Sequence, residues 1–101
     1  MEIRQTVADQ VARISLEGRF DFASHREFRD ATEGLLAQDA ITTLTIDLGA
    51  VSYLDSSALG MLLMLRDKAR AAKRDVSLAN AHGPVRQVLE VANFQKLFRI
   101  D

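Results

Sequence analysis

The chain has 101 residues, 48% of them hydrophobic and 27% charged, with a formal net charge of -1 and no cysteine. This balance fits one globular domain over residues 1–101 with a modest core, and it excludes a disulfide framework or thiolate metal site. It also argues against a nucleic-acid partner, which needs a clustered basic surface. There is no apolar run of about 18 residues to span a membrane, and the opening MEIRQTVAD holds no apolar signal core, so a cytoplasmic location is expected.

Residues Glu2 to Leu16 predict two short strands. Ile3 and Val7 are the apolar residues of the first, and in the second Ala12, Ile14 and Leu16 alternate with Arg13 and Ser15. Ala8-Asp9-Gln10 is the expected tight connection. Gly18 is read as the end of the second strand. The following EGRFDFA, Glu17 to Ala23, reads as a polar loop whose aromatics anchor it to the core, with Asp21 a candidate for a polar rim.

Ser24-His25-Arg26-Glu27 has the form of a capping box, with Glu three residues after Ser. The helix expected from there runs to about Gln38, with Phe28, Ala31, Leu35 and Leu36 on its apolar side. His25 reads as a surface residue. Thr43 to Leu48 is the cleanest strand, with Leu44, Ile46 and Leu48 alternating with Thr45 and Asp47. Gly49 and Ala50 suggest a short loop, and Val51, Tyr53 and Leu54 are apolar ahead of Asp55-Ser56-Ser57.

A long helix is expected from Ser57 to about Lys73. At 100° per residue, Ala58, Met61, Leu62, Leu65, Ala69 and Ala72 share a sector of about 100°, the core face. Leu63 and Met64 fall outside it. They suggest either a docking surface or a patch covered by a neighbouring element. The Asp-Ser-Ser at the helix start also admits two readings. One is capping of the free N–H groups of the first turn. The other is a regulated serine, because a phosphate there meets free N–H donors and the positive end of the helix dipole.

Val76 to Ala79 reads as a short strand, and Pro84 suits the first position of a third helix. Val85, Val88, Leu89 and Ala92 follow helical spacing, and Asn93 suits a left-handed cap. Phe94, Leu97, Phe98 and Ile100 supply a last apolar turn and short strand. The alternation of strands and helices argues for a partly parallel sheet covered by helices.

No residue set points to an enzyme. There is no GxxxxGK[ST] or GxGxxG loop and no HExxH, and His25 and His82 are the only imidazoles. No catalytic residue, metal ligand or cofactor is expected.

The strand TLTIDL, a short loop, an apolar pair and then DSSALGMLL together resemble the signature of STAS-domain anti-sigma-factor antagonists (anti-anti-sigma factors) of the bacterial single-domain type. The usual family form D-S-[SAT]-[GA]-[LI]-G stands here as Asp55 to Gly60. GRFDF at Gly18 to Phe22 is similar to the family's loop after the second strand, and VRQVLEVANFQKLFRI from Val85 to its third helix and last strand. Many members continue into a further helix where this sequence ends at Asp101.

The resemblance implies an α/β fold of mixed α+β character, a mixed four- to five-stranded sheet with about three helices packed on it. It implies a phosphorylation-controlled binding protein, with Ser56, or less favoured Ser57, as the phospho-acceptor. Ser57 would otherwise be the neighbouring capping serine. The implied partner surface is Asp21, Asp55, Ser56, Ser57, Gly60, Leu63 and Met64. The implied partners are an anti-sigma factor that is also a serine kinase and a PP2C-type phosphatase, with no nucleic acid and no membrane, and a monomer when free. Two alternatives stand beside this: a STAS subunit of a larger complex such as a lipid-transport ABC ATPase, without a phospho-switch, and a small enzyme or ligand-binding domain using the same loop.

Overall fold

The computed structural model describes residues 1–100, so Asp101 lies outside the described residues. Strand β1, Glu2–Ala8, pairs antiparallel with β2, Val11–Phe20. Asp9 and Gln10 form the turn with φ of 51° and 70°, the positive values that a two-residue hairpin of matching twist requires. Val7 shares the buried side of the sheet opposite Ala12 yet is exposed, because β1 is an edge strand.

Helix α1, His25–Leu36, leads to β3, Thr43–Leu54; helix α2, Ser56–Ala71, leads to β4, Asp75–Ala79; helix α3, Gly83–Val91, leads to β5, Arg99–Ile100. The five strands lie in sequence order, with β2 through β5 mutually parallel. Right-handed crossovers between neighbouring parallel strands put successive helices on the same face. The burial pattern agrees. Ala12, Ile14, Leu16, Leu44, Ile46, Leu48 and Leu78 are buried with Phe28, Leu35, Leu62, Leu65 and Leu89. The other face carries Arg13, Ser15, Thr45 and Asp47, joined by an Arg13–Asp47 ion pair at 2.8 Å and a Thr45–Ser77 hydroxyl contact at 3.1 Å.

Several expectations need correction. Gly18 does not end β2. It sits inside the strand at φ +100°, a conformation other residues rarely adopt, and β2 continues to Phe20. Gly49 and Ala50 are not a loop. β3 runs unbroken to Leu54, and the pairing with β2 passes from Ser15↔Asp47 to Glu17↔Ala50 and from Gly18↔Val51 to Arg19↔Tyr53. Each step places one extra residue on β3, so the strand is bulged twice. Burial then falls on Leu48, Val51 and Leu54 rather than on every second residue, which is why alternation stops being visible there.

Ser24 does not form a capping box. The chain enters α1 through a 3-10 turn, Phe22–Ser24, and the carboxylate of Asp21 accepts from Ala23 N–H at 3.1 Å. Ser24 is already turned into this entry, and its hydroxyl faces the Arg19 carbonyl at 3.4 Å. Within α1 the buried positions are Phe28, Thr32 and Leu35, with the Thr32 hydroxyl donating to the Phe28 carbonyl at 2.9 Å. Asn93 takes the left-handed conformation expected of it, φ 61°.

Candidate functional site

The site is assembled where β2 and β3 end. Phe20 pairs with Leu54, and Asp55 N–H donates to the Phe20 carbonyl at 3.4 Å, so the chain after β2 and the chain after β3 leave the sheet side by side. This brings Asp21 and Asp55 to one end of the molecule, although 34 positions separate them in the sequence. The carboxyl ends of parallel strands are where open α/β sheets place their ligands and partners.

Asp55 has extended backbone and is the cap of α2. Its Oδ1 accepts from Ala58 N–H at 2.9 Å. Capping therefore falls to Asp55, not to Ser57, because only the residue that precedes the helix can turn its side chain back onto the third N–H. Ser56 is the first helical residue and is exposed; Ser57 is half-buried. Neither hydroxyl has a partner among the described residues. The cap is thus satisfied by a carboxylate, and the exposed Ser56 hydroxyl beside it is spare.

Asp21 is half-buried, held by its bond from Ala23 and by Arg19 Nε at 3.6 Å. The Arg19 guanidinium lies 4.2 Å from the centre of the Tyr53 ring. Tyr53 and Phe22 were not marked by the sequence as surface groups, yet they are 42% and 71% exposed. The expectation that both aromatics of the EGRFDFA loop anchor it holds for Phe20, which is buried with its ring tilted against Phe28 at 5.0 Å, and fails for Phe22, which stacks on His25 at 5.9 Å. The available signal was position: Phe22 follows the last buried residue of β2, and Tyr53 falls outside the Leu48, Val51, Leu54 spacing.

Leu63 and Met64 separate. Leu63 is half-buried and packs on the core. Met64 is half-exposed and lines a shallow groove between α1 and α2 with His25, Phe28, Arg29 and Thr32. Lys68 and Glu33 form an ion pair across the same groove, and the bound ammonium holds the Glu33 pKa below its ordinary value. Gly60 is exposed, and a methyl group added there would meet nothing within 4 Å. Ser56, Gly60 and Met64, four residues apart, line up along one side of α2.

A second polar cluster stiffens the bulge. Asp47 Oδ1 accepts from Gly49 N–H at 2.9 Å and from the Asn80 amide at 3.1 Å, and Oδ2 pairs with Arg13. Burial pushes the Asp47 pKa up, but these three donors outweigh it and hold the group below its ordinary value. His82 Nε2 lies 3.0 Å from the Gly49 carbonyl. Among the described residues no group of three His, Cys, Asp or Glu side chains could hold a metal ion.

The family model described as "Mlab, STAS domain" matches residues 3–99. The chain belongs to the STAS-domain family. A STAS-domain containing protein of Pseudomonas aeruginosa is 49% identical over 89 residues, 86% of this chain and 84% of that protein. An anti-sigma factor antagonist from Mycobacterium paratuberculosis superposes with a TM-score of 0.85 at 25% identity, over 98% of this chain and 83% of the other. The anti-sigma factor antagonist SpoIIAA matches in its unphosphorylated form with a TM-score of 0.78 at 23% identity, over 99% of this chain and 87% of the other. The phosphorylated form of SpoIIAA, a Bacillus cell fate determinant, matches at 0.76 and 21%, over 99% and 91%. The STAS domain described here therefore resembles the anti-sigma factor antagonists, with a five-stranded mixed sheet and three helices. No helix among the described residues is long and apolar enough to cross a membrane.

Proposed function

We propose that this STAS domain is a phosphorylation-controlled protein-binding switch rather than an enzyme. In this reading the form with unmodified Ser56 binds an anti-sigma factor that is also a serine kinase, and so releases a sigma factor in the cytoplasm. A PP2C-type phosphatase returns the modified form to the active pool. The observation that carries the reading is Ser56 itself, exposed and unpartnered at the first position of α2 beside a cap already made by Asp55. The solved phosphorylated and unphosphorylated forms of SpoIIAA support it by analogy of fold.

The physical consequence of a phosphate at Ser56 follows from its surroundings. It adds about -1.5 to -2 charge at pH 7. In the free protein the N-terminus of α2 offsets that charge, although Asp55 and Asp21 stand nearby. In a docked complex the phosphate must also be stripped of water, which costs several kcal/mol if no cation meets it. A loss of about 3 kcal/mol weakens binding more than a hundredfold. No rearrangement of the sheet is required. Asp21, Asp55, Ser57, Gly60 and Met64 would form the contacting surface, with Phe22 and Tyr53 added to it and Leu63 acting from beneath.

The test is intact-mass and peptide mapping of protein purified from its own host, beside Ser56→Ala. Phosphate at Ser56 that vanishes in the variant supports the switch, and pull-down with the unphosphorylated form then identifies the kinase. Phosphate at Ser57 keeps the class and moves the site. A second reading is a fixed subunit of a larger complex such as a lipid-transport ABC ATPase, in which Ser56 stays unmodified and the Asp55 cap serves the fold alone. Absence of phosphate across several growth conditions, with co-purification of an ATPase, selects that reading.

A further inference from the structure

At the opposite end of α2 lies a groove of about 410 Å³ that the serine face does not use. Arg66 and Arg70 reach it from α2, Arg74 from the turn after α2, and Arg99 from β5, with Thr43, Ser77, Val76 and Leu97 completing its walls. Asp75 is the one carboxylate among the lining residues. On a chain of net charge -1, four guanidinium groups around one groove are a strong local concentration of positive charge.

The protein itself answers this charge only in part, through contacts at Arg66, Arg74 and Arg99. Arg66 Nε donates to the Leu97 carbonyl at 2.9 Å, which fixes its head group, and its carboxylate neighbour Asp67 is 3.7 Å away and largely exposed. Arg74 NH1 donates to the Ala72 carbonyl, and its nearest carboxylate is the exposed Asp39 at 3.9 Å. Arg74 Nε is buried without a hydrogen-bond partner. Arg70 is exposed and has no partner among the described residues. Basic residues in a last helical turn offset the helix dipole, which accounts for Arg70. It does not account for Arg99 arriving from another element at the same place.

We infer that this groove binds a phosphate-bearing anion, at a site separate from the Ser56 face. Guanidinium forks match phosphate oxygens in charge and geometry. Two head groups held by backbone carbonyls are pre-organised, so less freedom is lost on binding. Thr43 adds a hydroxyl group, the Ser77 hydroxyl is already paired with Thr45, and Leu97 with Val76 gives an apolar wall. The groove has room for more than one inorganic phosphate, so an organic phosphate or the headgroup of an anionic lipid fits it. This goes beyond the switch reading and does not depend on it.

The experiment is a two-dimensional NMR titration of the full chain with inorganic pyrophosphate at physiological ionic strength, beside flotation with phosphatidic-acid vesicles and with neutral phosphatidylcholine vesicles. Arg70→Glu is the test variant, since the Arg70 side chain is exposed and makes no hydrogen bond or ion pair among the described residues, and Arg26→Glu on the exposed side of α1 is the control for net charge. Saturable shifts at Thr43, Ser77 and Leu97, weakened about tenfold by Arg70→Glu and unchanged by Arg26→Glu or Ser56→Ala, support a soluble phosphate ligand. Binding to phosphatidic-acid vesicles alone, lost in Arg70→Glu, supports the headgroup. No binding of either probe, or equal weakening by Arg26→Glu, overturns the inference.

Discussion

The two ends of α2 carry opposite chemistry. The helix spans 16 residues, about 24 Å at 1.5 Å per residue. Its N-terminal end holds Asp55 as cap, Asp21 beside it and an exposed hydroxyl; its C-terminal end holds the arginine groove. Both arrangements suit the helix dipole, so dipole complementarity by itself distinguishes neither as functional. What distinguishes them is the group left over. At one end the capping bond is complete and Ser56 remains spare. At the other, backbone carbonyls hold Arg66 and Arg74 while Arg70 remains spare.

The largest effect should come from charging the N-terminal end. Ser56→Asp is expected to cut affinity for the partner isolated by pull-down by about a hundredfold, near 3 kcal/mol, measured by calorimetry. Its thermal stability should stay unchanged or rise slightly, because an acid at the first turn of a helix is favourable. A parallel fall in stability would mean that the hydroxyl is structural and would remove the contrast.

Next in size is the Asp47 cluster on the other face of the sheet. Asp47→Asn should cost about 1–3 kcal/mol at pH 7, since a charged acceptor with three donors is lost. The folded-state pKa of Asp47 is depressed, so its contribution is present above the ordinary Asp value of about 3.9. It is lost as pH falls through the lower folded value. Acid titration should therefore show wild type losing stability more steeply than Asp47→Asn below about pH 4. Parallel acid curves would show that the three hydrogen bonds do not favour the charged form.

Asp55→Ala should destabilise the domain by about 1 kcal/mol in urea unfolding, while Asp55→Asn, which can still cap, should cost less. Equal losses would transfer the role from capping to charge. Gly60→Ala should stabilise by up to about 1 kcal/mol, since an exposed helical glycine is replaced where space is open. If a partner approaches this side of α2 closely, the same variant should bind it less well. The smallest effect belongs to Arg70→Ala, expected within about 0.5 kcal/mol of wild type. A larger loss of stability would make Arg70 a structural residue and weaken the comparison of the two ends.

Much of the fold was legible because each element buries one side. Alternation at Ala12, Ile14 and Leu16 and at Leu44, Ile46 and Leu48, and helical spacing at Ala58, Met61, Leu62 and Leu65, report burial directly. Asn93 was legible for another reason, since its left-handed cap follows from its own side chain and the helix before it. The Asp55-Ser56-Ser57 element was legible as a helix start with two uses. Which residue caps was not, because that depends on where the strand stops.

Some features lay beyond local pattern. The twofold bulging of β3 hides its last residues from a period-two reading, since an inserted residue reverses which side faces the core. The exposure of Phe22 and the half-burial of Leu63 depend on what α1 and the core place against them. The sequence alone determined the type and order of the elements and the pair of serines at a helix start, because those follow from contacts within a few residues. Only the tertiary structure decided that Asp21 joins Asp55 and that Arg99 joins Arg66, Arg70 and Arg74, because strand pairing and chain crossover bring together residues that no local period relates.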